Sequence, residues 1–256
     1  MKAVILAGGR GSRLSEETIV RPKPLVEIGG RPIIWHIMNI YSAHGISEFV
    51  VCAGYKGYLL KEYFANLGLH DSDVTFDLGS GGVTYHQPAQ LLWKVTVADT
   101  GDRTMTGGRV RRVREYLDTS EPFCLTYGDG VADIDVGATI ELHRRSALLA
   151  TMTVVRPSAR FGTVAVDGER VTEMLEKHPS GAAQVNGGFF VVEPGVLDLI
   201  EGDGSIWESD VLPRLATEGQ LGAYEHQGYW QPMDTAWERD LLEELWLSGR
   251  APWKIW

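Results

Sequence analysis

AVILAGGRGSRLSEETIVRPKPLVEIGGRPII, residues 3–34, decides the fold, because an apolar strand runs directly into a glycine loop studded with cations. Ala3 to Ala7 is a short, unbroken apolar run of the kind buried on both faces of a parallel sheet. Gly8, Gly9 and Gly11 follow; lacking Cβ atoms, they let the backbone turn sharply and bring its N–H groups close to an anion. Arg10, Arg13, Arg21 and Lys23 add positive charge to the same segment. Pro22 and Pro24 fix φ on either side of Lys23, so its ammonium is stiffly mounted, and a preorganised cation stabilises developing negative charge better than a wandering one. The segment is built to hold phosphate.

Two familiar phosphate loops do not fit these letters. No Gly-Lys-Ser/Thr closes a Walker A loop. The dinucleotide fingerprint needs a third glycine where Leu14 stands. A nicotinamide-dependent oxidoreductase on a similar sheet is therefore disfavoured, and it would need no paired metal carboxylates.

Composition narrows the classes further. With 256 residues, 44% of them hydrophobic, the chain can bury one sizeable core. A formal charge of −10 argues against a nucleic-acid groove, which demands Lys and Arg over a whole face. The first apolar run is too short for a signal-peptide core, and no run approaches the ~18 residues that span a bilayer, so the cytoplasm is the expected compartment. Cys52 and Cys124 lie inside predicted apolar strands and read as small buried hydrophobes. The seven histidines are scattered without HExxH or Cys/His ligand spacing, which leaves carboxylates as the metal candidates.

Strands and helices alternate through the first half. Strands are expected at 2–7, 48–53, 94–98, 123–127 and 149–155, with helices starting near Pro32 and covering about 57–66, 107–117 and 137–146. That order predicts an α/β fold with a doubly wound, mainly parallel, Rossmann-like sheet whose ligands sit at the C-terminal strand ends. Beyond Pro157, FGTVAVDGERVTEML reads as a hairpin about an Asp-Gly turn, NGGFFVVEPGVLDLI as a strand running into a helix opened by Pro194, and LGAYEHQGYW as a further strand pair. The expected organisation is one domain: a phosphate-holding core over 1–156, a smaller β-rich lobe over 157–230, and a closing segment, 231–256, with its last helix at 235–247.

Asp129 emerges from the apolar strand FCLTYGDG, and Asp234, in WQPMDT, follows another strand and precedes a helix that it or Thr235 could cap. A lone Asp in either place is most often a cap or a turn former. Two of them facing the crevice of a cationic glycine loop point to a metal site, and magnesium suits it, being held by one or two carboxylates together with phosphate oxygens and water.

The chain resembles the sugar-phosphate nucleotidyltransferases, whose GG-x-G-(S/T)-R-L loop, P-K-P and GG-(K/R)-P-(I/L) segments are matched by Gly8, Gly9, Gly11, Ser12, Arg13, Leu14, Pro22, Lys23, Pro24, Gly29, Gly30 and Pro32, with Arg31 at the Lys/Arg position. It is most similar to the glucose-1-phosphate cytidylyltransferases, through SEETIVRPKP, RPIIWHIMNIYS, GYKGYLLKEYFAN, DTGDRTMTGGRVRRV, FCLTYGDGVADID, NGGFFVVEP and WQPMDT. The resemblance implies Mg²⁺ on Asp129 and Asp234, CTP and glucose 1-phosphate as substrates, CDP-glucose and pyrophosphate as products, and a homo-oligomer. It implies Arg13 and Lys23 as catalytic residues, Arg13 against the leaving phosphates and Lys23 near the α-phosphate, and a nucleotide site of Leu6, Gly8, Gly9, Gly11, Ser12, Thr104, Met105, Thr106, Gly107 and Arg109 besides. It makes 1–156 the nucleotide-binding core and 157–230 a sugar-binding lobe, and on the sugar side it implies Tyr127, Gly162, Glu176, Lys177 and Asn186, although His178 makes the Glu-Lys-Pro element one residue longer than the family pattern.

Base selection is expected from TGDRTMTGGRV, where Gly8 and the turn at Thr106 and Gly107 present backbone groups to a pyrimidine edge and Met105 and Arg109 complete the pocket. The resemblance favours cytosine; the residues alone leave dTTP or UTP, or another hexose 1-phosphate, open. Arg109, Arg111, Arg112 and Arg114 form a basic cluster that steers triphosphate, meets a neighbouring subunit, or is a solvated helix face. The tail WLSGRAPWKIW holds three of the eight tryptophans, so it packs on its own domain or on a partner. A silent nucleotide sensor is the remaining alternative, and it would be expected to lack Lys23 or one aspartate.

Overall fold

The computed structural model describes residues 1–86, 92–157, 163–167, 170–175 and 183–256. A seven-stranded sheet forms its centre, from β1 (Ala3–Ala7), β2 (Glu48–Ala53), β3 (Lys94–Asp99), β4 (Phe123–Tyr127), β5 (Ala150–Val155), β6 (Val185–Val192) and β7 (Leu221–His226). Their spatial order is β7-β5-β6-β4-β1-β2-β3. β6 runs antiparallel to β4 and β5, while the other pairings are parallel. This is the expected α/β, mainly parallel, Rossmann-like sheet.

Its two faces explain the unbroken apolar runs. Ala3, Ile5 and Ala7 of β1 face one core layer, with Ile33 and Ile37 of α1 (Ile33–Ala43) and with Phe49 and Val51. Val4 and Leu6 face the other, with Val50, Leu125, Phe190 and Trp207. Period-two alternation thus feeds two cores, so no strand residue can be polar without cost. α2 (Gly57–Ala65), α3 (Thr106–Arg112), α4 (Val136–Ser146) and α5 (Ala236–Leu247) complete the helical elements used below. Cys52 and Cys124 are fully buried, one in each layer, and burial pushes both thiols up to about 12, as inert small hydrophobes require.

Three expectations need correction. LGAYEHQGYW is not a strand pair: β7 joins β5 in the central sheet, while Trp230–Pro232 pairs with Gly130–Ala132. Within 157–230, β6 is also central, while the strand pair Thr163–Asp167 and Arg170–Leu175 stands outside the main sheet. The helix expected over 107–117 stops at Arg112 and continues as a 3₁₀ turn, Arg114–Tyr116, and Pro194 opens a 3₁₀ segment rather than an α-helix. A solvent-exposed hairpin, Asp73–Asp77 with Gly82–His86, has no counterpart in the sequence reading. Among the described residues, no helix is long and apolar enough to cross a membrane.

Candidate active site

The crevice opens where β1 and β4 end. Gly11 has a φ of +62°, and a Cβ there would meet Thr18 Cγ2 at 2.8 Å, so the loop closes only with glycine. Gly128 lets β4 turn against β1: its N–H donates to Leu6 O at 3.0 Å, and a Cβ would meet the same oxygen at 2.8 Å. Lys23 opens a single 3₁₀ turn, Lys23–Leu25, after Pro22, and its side chain is 9% exposed.

The two aspartates, distant in sequence, are joined by backbone pairing. The ladder of Trp230–Pro232 with Gly130–Ala132 continues into Met233 N–H donating to Asp129 O at 2.8 Å, which sets residues 129 and 234 at one strand end. Thr235 caps α5 in a reciprocal box with Glu238. The buried Glu238 also accepts from Asp234 N–H at 2.8 Å, so the cap that starts the helix fixes the metal candidate's backbone. Lys23 Nζ then donates to Asp129 Oδ2 at 2.7 Å and to Asp234 Oδ1 at 2.6 Å. Arg13 Nη1 donates to Asp234 Oδ2 at 2.7 Å from a side chain that is 74% exposed.

Two clefts share this centre. One, of about 350 Å³, is lined by Leu6, Gly8, Gly9, Gly11, Ser12, Arg13, Lys23, Thr104, Met105, Thr106, Arg109, Tyr127 and Asp129. The other, of about 390 Å³, shares Arg13, Thr106, Tyr127 and Asp129 and adds Asn186, Gly188, Glu208, Trp230 and Asp234. Asn186 Nδ2 donates to Tyr127 Oη at 3.1 Å. Burial, reinforced by the Glu208 charge, raises the Tyr127 phenol far above its ordinary range, so it stays protonated.

The structure brings together eleven of the twelve residues expected around the nucleotide. Gly107 is not among the residues lining the cleft: it is buried in the first turn of α3, where a Cβ would meet Ser205 O at 2.9 Å. Arg109 lines the cleft by a different route from that expected. Its guanidinium is buried and donates to Gly8 O, Gly101 O, Ala53 O and Thr100 Oγ1, tying the glycine loop to the ends of β2 and β3. A Cβ on Gly8 would meet Arg109 Nη1 at 2.1 Å, so Gly8 is needed for this clamp. The remaining members of the basic cluster are exposed, as a solvated face would be, and are engaged by surface groups: Arg111 donates to Glu201 O, Arg112 forks onto Asp203, and Arg114 pairs with Asp198. Gly162, Glu176 and Lys177 lie outside the described residues. Glu208 and Glu238 went unnoticed, because neither belongs to a motif; only the Thr-x-x-Glu spacing of Thr235 and Glu238 carried a signal.

The pair of aspartates fits a divalent cation. Both carboxylates already converge on one ammonium, which shows that a single positive centre can satisfy them. A pair of carboxylates is a donor set that suits magnesium, which is held by one or two carboxylates together with phosphate oxygens and water.

The nucleotidyl transferase family model matches residues 2–243. The chain belongs to that family. Over 256 residues, all of both chains, this nucleotidyl transferase is 54% identical to glucose-1-phosphate cytidylyltransferase of Salmonella typhi. It is 28% identical to the catalytic subunit beta of mannose-1-phosphate guanylyltransferase of Danio rerio, over 94% of this chain and 63% of that one. UDP-glucose pyrophosphorylase of Acinetobacter baumannii, 18% identical, superposes with a TM-score of 0.69 over 96% of this chain and 93% of its own, which shows a shared fold.

Proposed function

We propose that this nucleotidyl transferase moves a cytidylyl group from CTP to glucose 1-phosphate, giving CDP-glucose and pyrophosphate. The carrying observation is that Lys23, Arg13, Asp129 and Asp234 form one ion-paired cluster at the junction of two clefts, one walled by the glycine loop and the other by Asn186 and Trp230. The 54% identity over both full chains supports the choice of cytosine and glucose.

In this reading an oxygen of the sugar's phosphate forms a bond to the α-phosphorus of CTP while the bond to the β-bridging oxygen breaks, and pyrophosphate departs with the electron pair. The attacking phosphate is already an oxyanion, so no protein base has to take a proton. What the chain must do is offset the repulsion between two polyanions, align them, and stabilise the charge that grows on the bridging oxygen. Lys23, buried between prolines, meets the α-phosphate and the attacking phosphate; the more exposed Arg13 leaves Asp234 to hold the departing phosphates. Asp129 and Asp234 would hold Mg²⁺, which when bound supplies charge neutralisation on the phosphate oxygens. Met105 and Thr106 shape the base side, and the Arg109 clamp sets where Gly8 lies against it.

A pyrophosphate-release screen of CTP, dTTP, UTP, ATP and GTP against several hexose 1-phosphates, with and without EDTA, tests the proposal. Release with CTP and glucose 1-phosphate that EDTA abolishes is expected; equal release with every triphosphate, or none at all, would refute it.

A further inference from the structure

Glu208 stands at the junction of the two clefts, in a wide π-helical turn, Trp207–Val211. Such turns mostly persist at functional sites. The turn is pinned from several sides: Trp207 is fully buried, its ring meets Phe190 edge-on at 5.8 Å, and its backbone N–H donates to Thr106 Oγ1 at 2.9 Å. Gly108 N–H donates to Ser205 O nearby. The Thr106 hydroxyl in turn donates to Glu208 Oε2 at 2.6 Å, and Tyr127 lines the same cleft, where the Glu208 charge helps keep its phenol protonated. Asn186 donates to Tyr127 and is itself braced by Gly188 N–H on its Oδ1 at 2.8 Å. Glu208 is therefore tied through Thr106 to the base-side turn and shares its cleft with Tyr127 and Asn186.

A carboxylate offers about four lone-pair sites, and Thr106 uses one. Among the described residues Glu208 accepts from the Thr106 hydroxyl and forms no ion pair, and it is exposed at the cleft that Arg13 and Asp234 also line. A carboxylate repels phosphate and accepts strongly from hydroxyls. A glycosyl phosphate entering with its anionic end toward Arg13 and Lys23 therefore turns its neutral polyol end toward Glu208.

Resting on the function proposed above, we propose that Glu208 is a specificity-determining residue that accepts a hydrogen bond from a hexose hydroxyl of the acceptor, while its other oxygen holds Thr106 in place. The carboxylate thereby selects a polyhydroxylated ring over other anionic acceptors.

The experiment compares wild type, Glu208→Gln and Thr106→Val, with CTP and with glucose 1-phosphate or its single-position deoxy analogues. Loss of one hydrogen bond to a charged acceptor corresponds to about 10–100-fold. Glu208→Gln is expected to raise KM for glucose 1-phosphate on that scale, with KM for CTP changed less than about threefold on the same scale of hydrogen-bond losses. One deoxy analogue should be strongly disfavoured by wild type and no longer disfavoured by Glu208→Gln. Deoxy penalties unchanged in Glu208→Gln, equal rises in both KM values, or a Thr106→Val variant that reproduces the whole pattern would overturn the proposal. Calorimetric titration of glucose 1-phosphate into CTP-bound protein in EDTA separates it from the assigned reaction. Weakened binding in Glu208→Gln without wild-type turnover would sink the reaction but support Glu208 as the hydroxyl acceptor; normal turnover with unchanged binding would overturn that role.

Discussion

At the scale of single residues, Lys23 joins the site's opposing charges, and its neighbours explain why it can. Pro22 and Pro24 restrict its backbone, and burial of its stem leaves the ammonium few places other than the two carboxylates. Lys23→Ala is expected to lower kcat by ~10²–10³ with little change in KM for CTP, the scale of one preorganised charge-stabilising donor; a steady-state assay showing only a raised KM would contradict that role. Arg13, more exposed and bound to Asp234 alone among the aspartates, should behave differently. Its replacement by alanine is expected to raise KM for CTP more than it lowers kcat. The glycine loop and Lys23 were legible in the sequence because their chemistry is local. Glu208 was not, since its meaning depends on Thr106 and Tyr127, 102 and 81 residues away in the chain.

At the scale of elements, two short devices place the aspartates. The ladder of Trp230–Pro232 with Gly130–Ala132 sets their separation, and the Thr235–Glu238 capping box sets the start of α5. Glu238→Ala removes the acceptor for Asp234 N–H and Thr235 N–H from a buried position. A loss of about 1–3 kcal/mol is expected by chemical denaturation, together with a fall in kcat, because a buried donor left unsatisfied is costly and Asp234 loses its brace. Conserved activity in a destabilised variant would show that the cap serves the helix alone. Strand and helix order was readable through the first half because apolar runs alternate with amphipathic ones. The second half was less legible, since the return of β6 and β7 to the central sheet is set by tertiary pairing rather than by any local pattern. The acids that engage the basic cluster, Asp203 on Arg112 and Asp198 on Arg114, lie far along the chain in a stretch without periodicity, so their pairing was not legible.

For the whole molecule, the tail closes the core behind the site. Trp253 is fully buried, stacks on Tyr229 and Trp246, and donates its indole N–H to His36 Nδ1 at 3.3 Å. His36 Nε2 therefore carries the proton, donated to Ile28 O at 2.9 Å, and the ring is neutral. Burial lowers its pKa from 6.5 to about 4. The unfolded chain binds this proton more readily than the folded one, so stability is unaffected above pH 6.5 and declines as pH falls toward about 4, by roughly 3 kcal/mol at most. Urea titrations at pH 7.5, 6 and 5 should show that decline, and it should be reduced in His36→Leu. Truncation after Leu247 removes Trp253 and is expected to cost ~3–5 kcal/mol, as for other buried tryptophans. Gel filtration of a variant that keeps Trp253 but ends there tests whether the half-exposed Ile255 and Trp256 bear on assembly.

The central claim is that Asp129 and Asp234, which share Lys23 in the ligand-free protein, share a divalent cation once CTP is bound. Anomalous diffraction at manganese, from crystals soaked with Mn²⁺ and CTP, tests it directly. The account predicts a peak within bonding distance of both carboxylates and of the triphosphate, with the Lys23 ammonium displaced toward the α-phosphate. A peak touching neither aspartate, or a triphosphate seated away from the glycine loop, would contradict it.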